Sequence, residues 1–387
     1  MKKSNKKIIP LSVPNISGNE WDYVKDCLDT GWISSVGSYV DKFENSISNF
    51  CDSKYAIATS SGTTALHTAL KISGVQKDDY VIIPNITFVA TANAVMYLGA
   101  EPILIDADPN TWQLDLDLLE HFLNNSCDFD NQKKLIFKKD KRKITALIPV
   151  HIQGNMSDME RIDKISKKFS INVIEDSAES LGSYYKKKSA GTFGLMGCLS
   201  FNGNKTISTG GGGMILTNNK KLALRAKHIT TTAKKDSFEY FHDEVGYNYR
   251  LVNVLAAIGV AQMENLPKFL KRKEYVGNFY RQNLSGVGDI DFQEIKENII
   301  SNNWLFTIKT KFQKKLLRYL NDNNIISRPF WMPMNQLPMY KKCIYINKYD
   351  RSKIIHRNCI SIPSSTNITD HELSIVIDYI KRFFNDL

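Results

Sequence analysis

Apolar positions along the chain follow two alternating rhythms. Short apolar runs read as buried strands: Tyr55-Ala-Ile-Ala-Thr59, Tyr80-Val-Ile-Ile83, Pro102-Ile-Leu-Ile-Asp106, Ile144 to Val150, Ile171-Asn-Val-Ile-Glu-Asp176, Gly197-Cys-Leu-Ser-Phe201 and Met214-Ile-Leu-Thr217. Helical periodicity lies between them, from Ala65 to Leu70, from beyond Phe88 to Leu98, from Leu116 to Asn124 and from Asp158 to Phe169. Two helices precede the first strand. One runs from Ser17 to Thr30, with Trp21, Val24 and Leu28 on one face and Ser17 and Glu20 at capping-box spacing. The other spans Ser38 to Phe50, with Val40, Phe43, Ile47 and Phe50 in register. Strands alternating with helices predict an α/β fold whose central sheet is mostly parallel, with helices on both faces. A long helix is expected from Val252 through Val254, Ile258, Ala261 and Met263, broken or kinked at Pro267. Beyond it the texture changes to a strand at Trp304–Thr310, a helix over Gln313–Asn323 and a last helix over Asp370–Asp386. This reads as a smaller α+β C-terminal domain, which divides the chain into 1–264 and 265–387.

Composition adds limits. The 387 residues are 42% hydrophobic and 24% charged, the balance of a soluble globular protein with two domains. Net charge is +11. The lysines are scattered, and the densest basic run, Lys133 to Lys143, sits in a polar insertion without interleaved aromatics, so a nucleic-acid partner is not expected. Cys27, Cys51, Cys127, Cys198, Cys343 and Cys359 show no paired spacing, which argues against a metal site and for a reducing compartment. The basic N-terminus has no apolar run before Pro10, and no stretch approaches the ~18 residues of a membrane span. A cytoplasmic protein without a membrane partner is the expectation.

Candidate chemistry gathers at the strand ends, where ligands bind in such sheets. Ser60-Ser-Gly-Thr-Thr64 lies between a strand and a helix. It is either a phosphate cradle, with Gly62 allowing close approach, or an ordinary N-capped helix start. Phe88 follows the next strand, as a core residue or as a face on which a flat ring can lie. Asp176 ends a strand, as a helix cap or as a functional carboxylate. Lys205, in Ser200-Phe-Asn-Gly-Asn-Lys205, stands before four glycines, Gly210 to Gly213. It is either a surface lysine in a glycine loop or a buried amine whose lowered pKa makes it a nucleophile. A phosphate turn, an aromatic, a carboxylate and a lysine at one sheet edge are the four things pyridoxal 5′-phosphate needs.

With these residues the chain resembles the DegT/DnrJ/EryC1/StrS family of nucleotide-sugar aminotransferases, which have the PLP-dependent transferase fold type I. The likeness covers nearly the whole chain from Val13. It is strongest in Gly31-Trp-Ile-Ser34, Ser61-Gly-Thr-Thr-Ala-Leu-His67, Glu175-Asp-Ser-Ala-Glu-Ser-Leu-Gly182, Ser200–Lys205 and Gly246-Tyr-Asn-Tyr-Arg250. The resemblance implies that Lys205 is the Schiff-base lysine and Asp176 the partner of the ring nitrogen. It further implies that Gly62, Thr63 and Ser200 hold the phosphate, that Phe88 stacks on the ring, and that Glu179 lies beside the cofactor. Asn248 is expected to serve the neighbouring subunit's phosphate in a homodimer with shared sites. Gly31, Trp32, Ile33, Ser34, Arg328, Trp331 and Asn335 resemble sugar-nucleotide contacts. Asn335, in Met332-Pro-Met-Asn335, stands near where many relatives carry a histidine.

The implied reaction is ping-pong transamination. An amino acid, by likeness L-glutamate, leaves pyridoxamine 5′-phosphate, which then aminates the C4 ketone of a 4-keto-6-deoxy nucleotide sugar for bacterial surface glycans. Glu179 and the Asn-Gly-Asn-Lys-Thr stretch most resemble the branch acting on UDP-linked N-acetyl sugars of bacillosamine and legionaminic acid pathways, which sets that substrate as the expectation. The alternative is a GDP-linked, perosamine-type sugar. A sugar dehydratase of this family would carry histidine in place of Lys205. A PLP-binding regulator would need a DNA-binding module for which no room precedes Val13.

Overall fold

The computed structural model describes residues 7–236 and 238–387; the basic residues 1–6 lie outside it. The expected strands form one sheet: β1 Tyr55–Thr59, β2 Tyr80–Pro84, β3 Glu101–Ile105, β4 Ile144–Leu147, β5 Asn172–Asp176, β6 Met196–Ser200 and β7 Gly213–Thr217, joined by β8 Tyr345–Ile346 from the C-terminal part. Their order is β1-β7-β6-β5-β4-β2-β3-β8. All pairings are parallel except those of β7, which runs against both β1 and β6. The helices are α1 Glu20–Thr30, α2 Ser38–Cys51, α3 Gly62–Ile72, α4 Ala90–Met96, α5 Leu116–Ser126, α6 Met159–Phe169, α7 Lys220–Thr230, α8 Asn253–Leu284, α9 Gln313–Asp322, α10 Arg351–Asn358 and α11 Asp370–Asn385.

The continuous apolar character of the strands follows from burial on both faces. In β2, Val81 and Ile83 pack toward Leu66 and Leu70 of α3 and Val95 of α4. Tyr80 and Ile82 pack with Leu119 and Phe122 of α5 and Ile162 and Ile165 of α6. A third core joins α2 (Val40, Phe43, Ile47) and the first half of α8 (Ala256, Ala257, Leu266) to Leu199 and Met214 of the sheet. The C-terminal part builds its own antiparallel sheet from Phe306–Lys309, Cys359–Ile362 and two flanking strands. Its core takes Val276, Tyr280 and Leu284 from the second half of α8, with Leu373, Val376 and Ile380 of α11.

Two local expectations are corrected. The apolar face read on α1 is not its buried face: Trp21 and Leu28 are 78% and 62% exposed, while Glu20 and Cys27 are buried. Ser17 and Glu20 make no capping box. Asn19 occupies the N-cap position without a side-chain cap, and Glu20 is drawn inward by Gln262 Nε2 and by the Gly18 amide. Pro267 lies inside α8, which runs unbroken for 32 residues. A proline in a helix interior costs about 3 kcal/mol. The buried Leu266 and Phe269 beside it contribute enough packing to override that local preference. The helix therefore crosses the expected 264/265 division as one element.

Candidate active site

A cleft of about 780 Å³ opens at the carboxyl ends of the strands. Ser61 to Thr63 line it after β1, Thr87 and Phe88 after β2, Val150 and Gln153 after β4, Asp176 at the end of β5, and Ser200 at the end of β6. The C-terminal part closes it with Trp304, Leu305 and Arg328 to Met332.

The cradle at α3 is built by a capping box. Ser61 Oγ accepts from the Thr64 amide at 3.1 Å, and Thr64 Oγ1 accepts from the Ser61 amide at 3.0 Å. The first-turn amides of Gly62 and Thr63 have no intrahelical acceptors, and both residues line the cleft at the positive end of the helix, a place suited to an anion. Gly62 is required by contact: a Cβ there would lie 2.8 Å from Ser200 Cβ. Gly213 is packed as tightly, since a Cβ there would lie 2.4 Å from the Ser61 carbonyl oxygen. The end of the glycine run thus ties the lysine loop to the phosphate turn.

Lys205 sits in the loop between β6 and β7, with its amide donated to the Asn202 carbonyl at 2.9 Å. Its side chain is only 12% exposed, and Nζ lies 3.6 Å from Glu179 Oε1. Nζ also lies over the Trp304 ring, 3.9 Å from its centroid. Burial lowers the lysine's pKa, and the charges of Glu179 and Asp176 act in the opposite sense. Glu179 is itself buried, and its pKa is raised to about 7 by desolvation, against the pull of Lys205 and of the Gln153 amide, which donates to Oε2 at 2.9 Å. Gln153 holds a left-handed backbone, φ 63°, to present that amide.

Asp176 is buried at the floor. Thr91 Oγ1 donates to its Oδ2 at 2.7 Å, and the Ala178 amide donates to Oδ1 at 3.1 Å. Desolvation raises its pKa, offset in part by these donors and by Lys205 and His151. His151 Nε2 lies 3.0 Å from Glu175, whose carboxylate also accepts from the amides of Gly191, Phe193 and Gly194. Glu175 is thereby a structural anchor, which separates its task from that of its neighbour Asp176.

Phe88 is 54% exposed in the cleft wall, as a stacking face must be and a core residue would not be. Arg328 and Trp331 line the cleft. Asn335 does not: its Oδ1 accepts from Asn85 Nδ2 at 3.1 Å, and its amide donates to Asn85 Oδ1 at 3.0 Å. Gly31, Trp32, Ile33 and Ser34 are exposed outside the cleft, in a loop pinned by Asn253, whose Nδ2 donates to the Trp32 carbonyl at 2.6 Å. Asn248 is also exposed and outside the cleft, bridged to Thr231. Sequence reasoning did not single out Trp304 and Gln153, which line the cleft, or Thr91 and Asn253, which hydrogen-bond to Asp176 and to the Trp32 carbonyl. Trp304 was legible only as a strand residue, and its 100-residue separation from the Asn204 carbonyl that accepts from its indole at 2.7 Å explains the omission.

The donors fit pyridoxal 5′-phosphate: a glycine cradle at a helix start, an exposed ring face, a buried carboxylate and a desolvated amine within one cleft. Fold and site together define a fold-type-I, PLP-dependent aminotransferase. The chain belongs to the DegT/DnrJ/EryC1/StrS aminotransferase family, which it matches over residues 14–381. It is 36% identical to a GDP-perosamine synthase of Escherichia coli O157:H7, over 98% of this chain and 100% of that one. It is 31% identical to a UDP-2-acetamido-2-deoxy-3-oxo-D-glucuronate aminotransferase of Pseudomonas aeruginosa, over 83% of this chain and 86% of that one. The PLP form of a putative sugar aminotransferase from Streptococcus pneumoniae shares the fold, with a TM-score of 0.88 at 23% identity over 98% and 99% of the two chains. Among the described residues no helix is long and apolar enough to cross a membrane.

Proposed function

We propose that this nucleotide-sugar aminotransferase moves the amino group of L-glutamate to the C4 ketone of a GDP-linked 4-keto-6-deoxy hexose, leaving 2-oxoglutarate and the 4-amino sugar nucleotide. The observation that carries this reading is the 36% identity, over 98% of this chain and 100% of the relative, to a GDP-perosamine synthase. The UDP-linked N-acetyl sugar expected from the Glu179 and Lys205 segments draws support from the 31% identical relative, at lower coverage.

Pyridoxal 5′-phosphate, held by Gly62, Thr63, Ser200, Phe88 and Asp176, supplies the electron sink for the transfer. Asp176, buried between Thr91 and Ala178, keeps a proton on the ring nitrogen through charge and proximity. Lys205 Nζ, when free, takes and returns the proton at the reacting carbon. Its lowered pKa brings it nearer neutrality, as a proton carrier requires. Glu179, whose pKa burial pushes up to about 7, stands 3.6 Å from that amine and so does not lock it in a tight ion pair. Arg328, exposed at the rim, offers a guanidinium to the diphosphate.

The working unit we propose is a homodimer. Trp32 and Ile33, with Trp21, Leu28 and Val36, make an exposed apolar strip on α1 and its following loop. A second copy would cover that strip and receive Asn248 and the Gly31–Ser34 loop at its own cleft. The discriminating experiment mixes the pyridoxamine-form enzyme with UDP-, GDP- and dTDP-linked keto sugars and follows the cofactor spectrum. Fastest reversion with the GDP sugar is expected. A higher specificity constant for a UDP-linked N-acetyl sugar would overturn the GDP reading.

A further inference from the structure

Lys273 is a buried lysine that the transfer chemistry does not use. It projects from α8, is 2% exposed, and among the described residues shows no ion pair with a carboxylate. Its Nζ donates instead to two backbone carbonyls, Trp304 at 2.7 Å and Ser364 at 2.5 Å. Burial lowers its pKa to about 7. A neutral amine still donates both bonds, so the residue serves as a hydrogen-bonding peg at and above neutral pH.

What the peg fixes is Trp304. The Trp304 amide donates to Asn302 Oδ1 at 2.9 Å, and its indole Nε1 donates to the Asn204 carbonyl at 2.7 Å. With Lys273 on its carbonyl, every polar group of Trp304 is engaged. Trp331 lies nearly parallel to it, with ring centroids 6.4 Å apart at 19°. The ring so fixed presents its face to Lys205 Nζ at 3.9 Å from the centroid. The Glu179 carboxylate is 3.6 Å away, beyond hydrogen-bonding length. The indole is therefore a close, direction-tolerant neighbour of the amine.

We propose that Trp304 is a positioning residue for the transamination: its face is the resting place of the Lys205 ammonium when that amine is not bonded to the cofactor, and Lys273 holds the ring there. A π face attracts a cation without fixing the direction of any N–H. The amine can thus rest in one place and still turn toward the reacting carbon, which a short salt bridge would prevent. This rests on the aminotransferase class of the site and not on which sugar it takes. The ionisable groups facing Lys205 are Glu179 and Asp176, with Arg328 and His356 farther out on the cleft wall.

The test uses the full-length enzyme loaded with pyridoxamine 5′-phosphate, in which Lys205 is free. Trp304 is replaced by mono-, di- and trifluorotryptophan through site-directed incorporation, which drains the ring face of negative charge while leaving shape and burial in place. The readout is the pH midpoint for acetylation of Lys205 by trace acetic anhydride, followed by mass spectrometry. The midpoint should fall stepwise, by about one pH unit over the series. Lys273→Met should lower the midpoint and flatten its dependence on fluorination, and Lys273→Arg should restore both. Glu179→Gln, as a control, must also lower the midpoint. A flat fluorine series beside a responsive control overturns the role of Trp304 and leaves the sugar assignment untouched. An undiminished fluorine dependence in Lys273→Met overturns the role of Lys273.

Discussion

Gly62→Ala tests the phosphate cradle at its tightest point. At an ordinary position in a helix the change stabilises by up to ~1 kcal/mol, because alanine is the better helix former. Here the new Cβ would lie 2.8 Å from Ser200 Cβ, 3.2 Å from Ser200 Oγ and 3.4 Å from the Leu199 carbonyl oxygen. Reaching the 3.4 Å at which ordinary contact begins requires the start of α3 and the end of β6 to part by about 0.6 Å. Overpacking of that size costs ~1–3 kcal/mol, so net destabilisation of about 0–2 kcal/mol remains. The effect on the anion is larger. Moving a donor by 0.6 Å from the typical ~2.9 Å breaks a hydrogen bond, and one to a charged group is worth ~1.5–3 kcal/mol, or roughly ten- to a hundredfold in affinity. Urea denaturation of the cofactor-free protein and absorbance titration with pyridoxal 5′-phosphate measure the two effects separately. Adding Ser200→Gly removes the clashing atoms and leaves only the contact at 3.4 Å. The double variant should recover the stability lost by the alanine but not the affinity, because the serine hydroxyl is gone. An alanine variant that gains the full helix-propensity benefit and binds the cofactor unchanged would show that neither the Ser200 contact nor the cradle amides matter.

Asp176→Asn keeps the donors from Thr91 and Ala178 near the side chain but loses the charge, so turnover should fall ~10²–10³-fold with little loss of bound cofactor; activity within a few-fold of wild type would make Asp176 a structural cap. Glu179 carries a pKa raised from 4.5 to about 7, so the folded state holds the extra proton and stability should decline as pH rises from about 4.5 to about 7. Glu179→Gln should flatten that part of the urea-midpoint profile, and an identical slope in the variant would contradict the assignment. Co-refolding Lys205→Ala with an inactive Asn248 variant should restore about a quarter of the sites if each cleft draws on two chains. Activity that stays absent would confine Asn248 to its own subunit.

The parallel sheet was legible because each strand is buried on both faces and so reads as an unbroken apolar run flanked by polar turns. That Lys205, Asp176, Gly62 and Phe88 would line one cleft was legible for a related reason: β-strand ends bring the segments that follow them to one edge whatever the distant packing does. Residues defined by tertiary contact were not. Trp304, expected in a strand, lies in a bend just before the strand Phe306–Lys309, where its indole reaches the Asn204 carbonyl of the β6–β7 loop, and Thr91 gains its role only from Asp176. The face of α1 was misread because periodicity records where apolar residues fall and not which side is covered. Glu20 is buried through Gln262, a partner distant in the sequence, while Trp21 and Leu28 remain exposed in the single chain. Asn335 sits near a position suggestive of substrate, but Asn85 takes both of its hydrogen bonds.

The uninterrupted course of α8 through Pro267 governs how this molecule yields under load. Its first half is embedded in one core and its second half in another. Neither body can swing away about a slack connector, because a stiff rod is anchored in both. Pro267 has no N–H to donate to the Met263 carbonyl one turn back, so the rod should bend most easily there. Heat should accordingly melt both bodies in one calorimetric transition. A chain cut between 264 and 265 would forfeit both cores together.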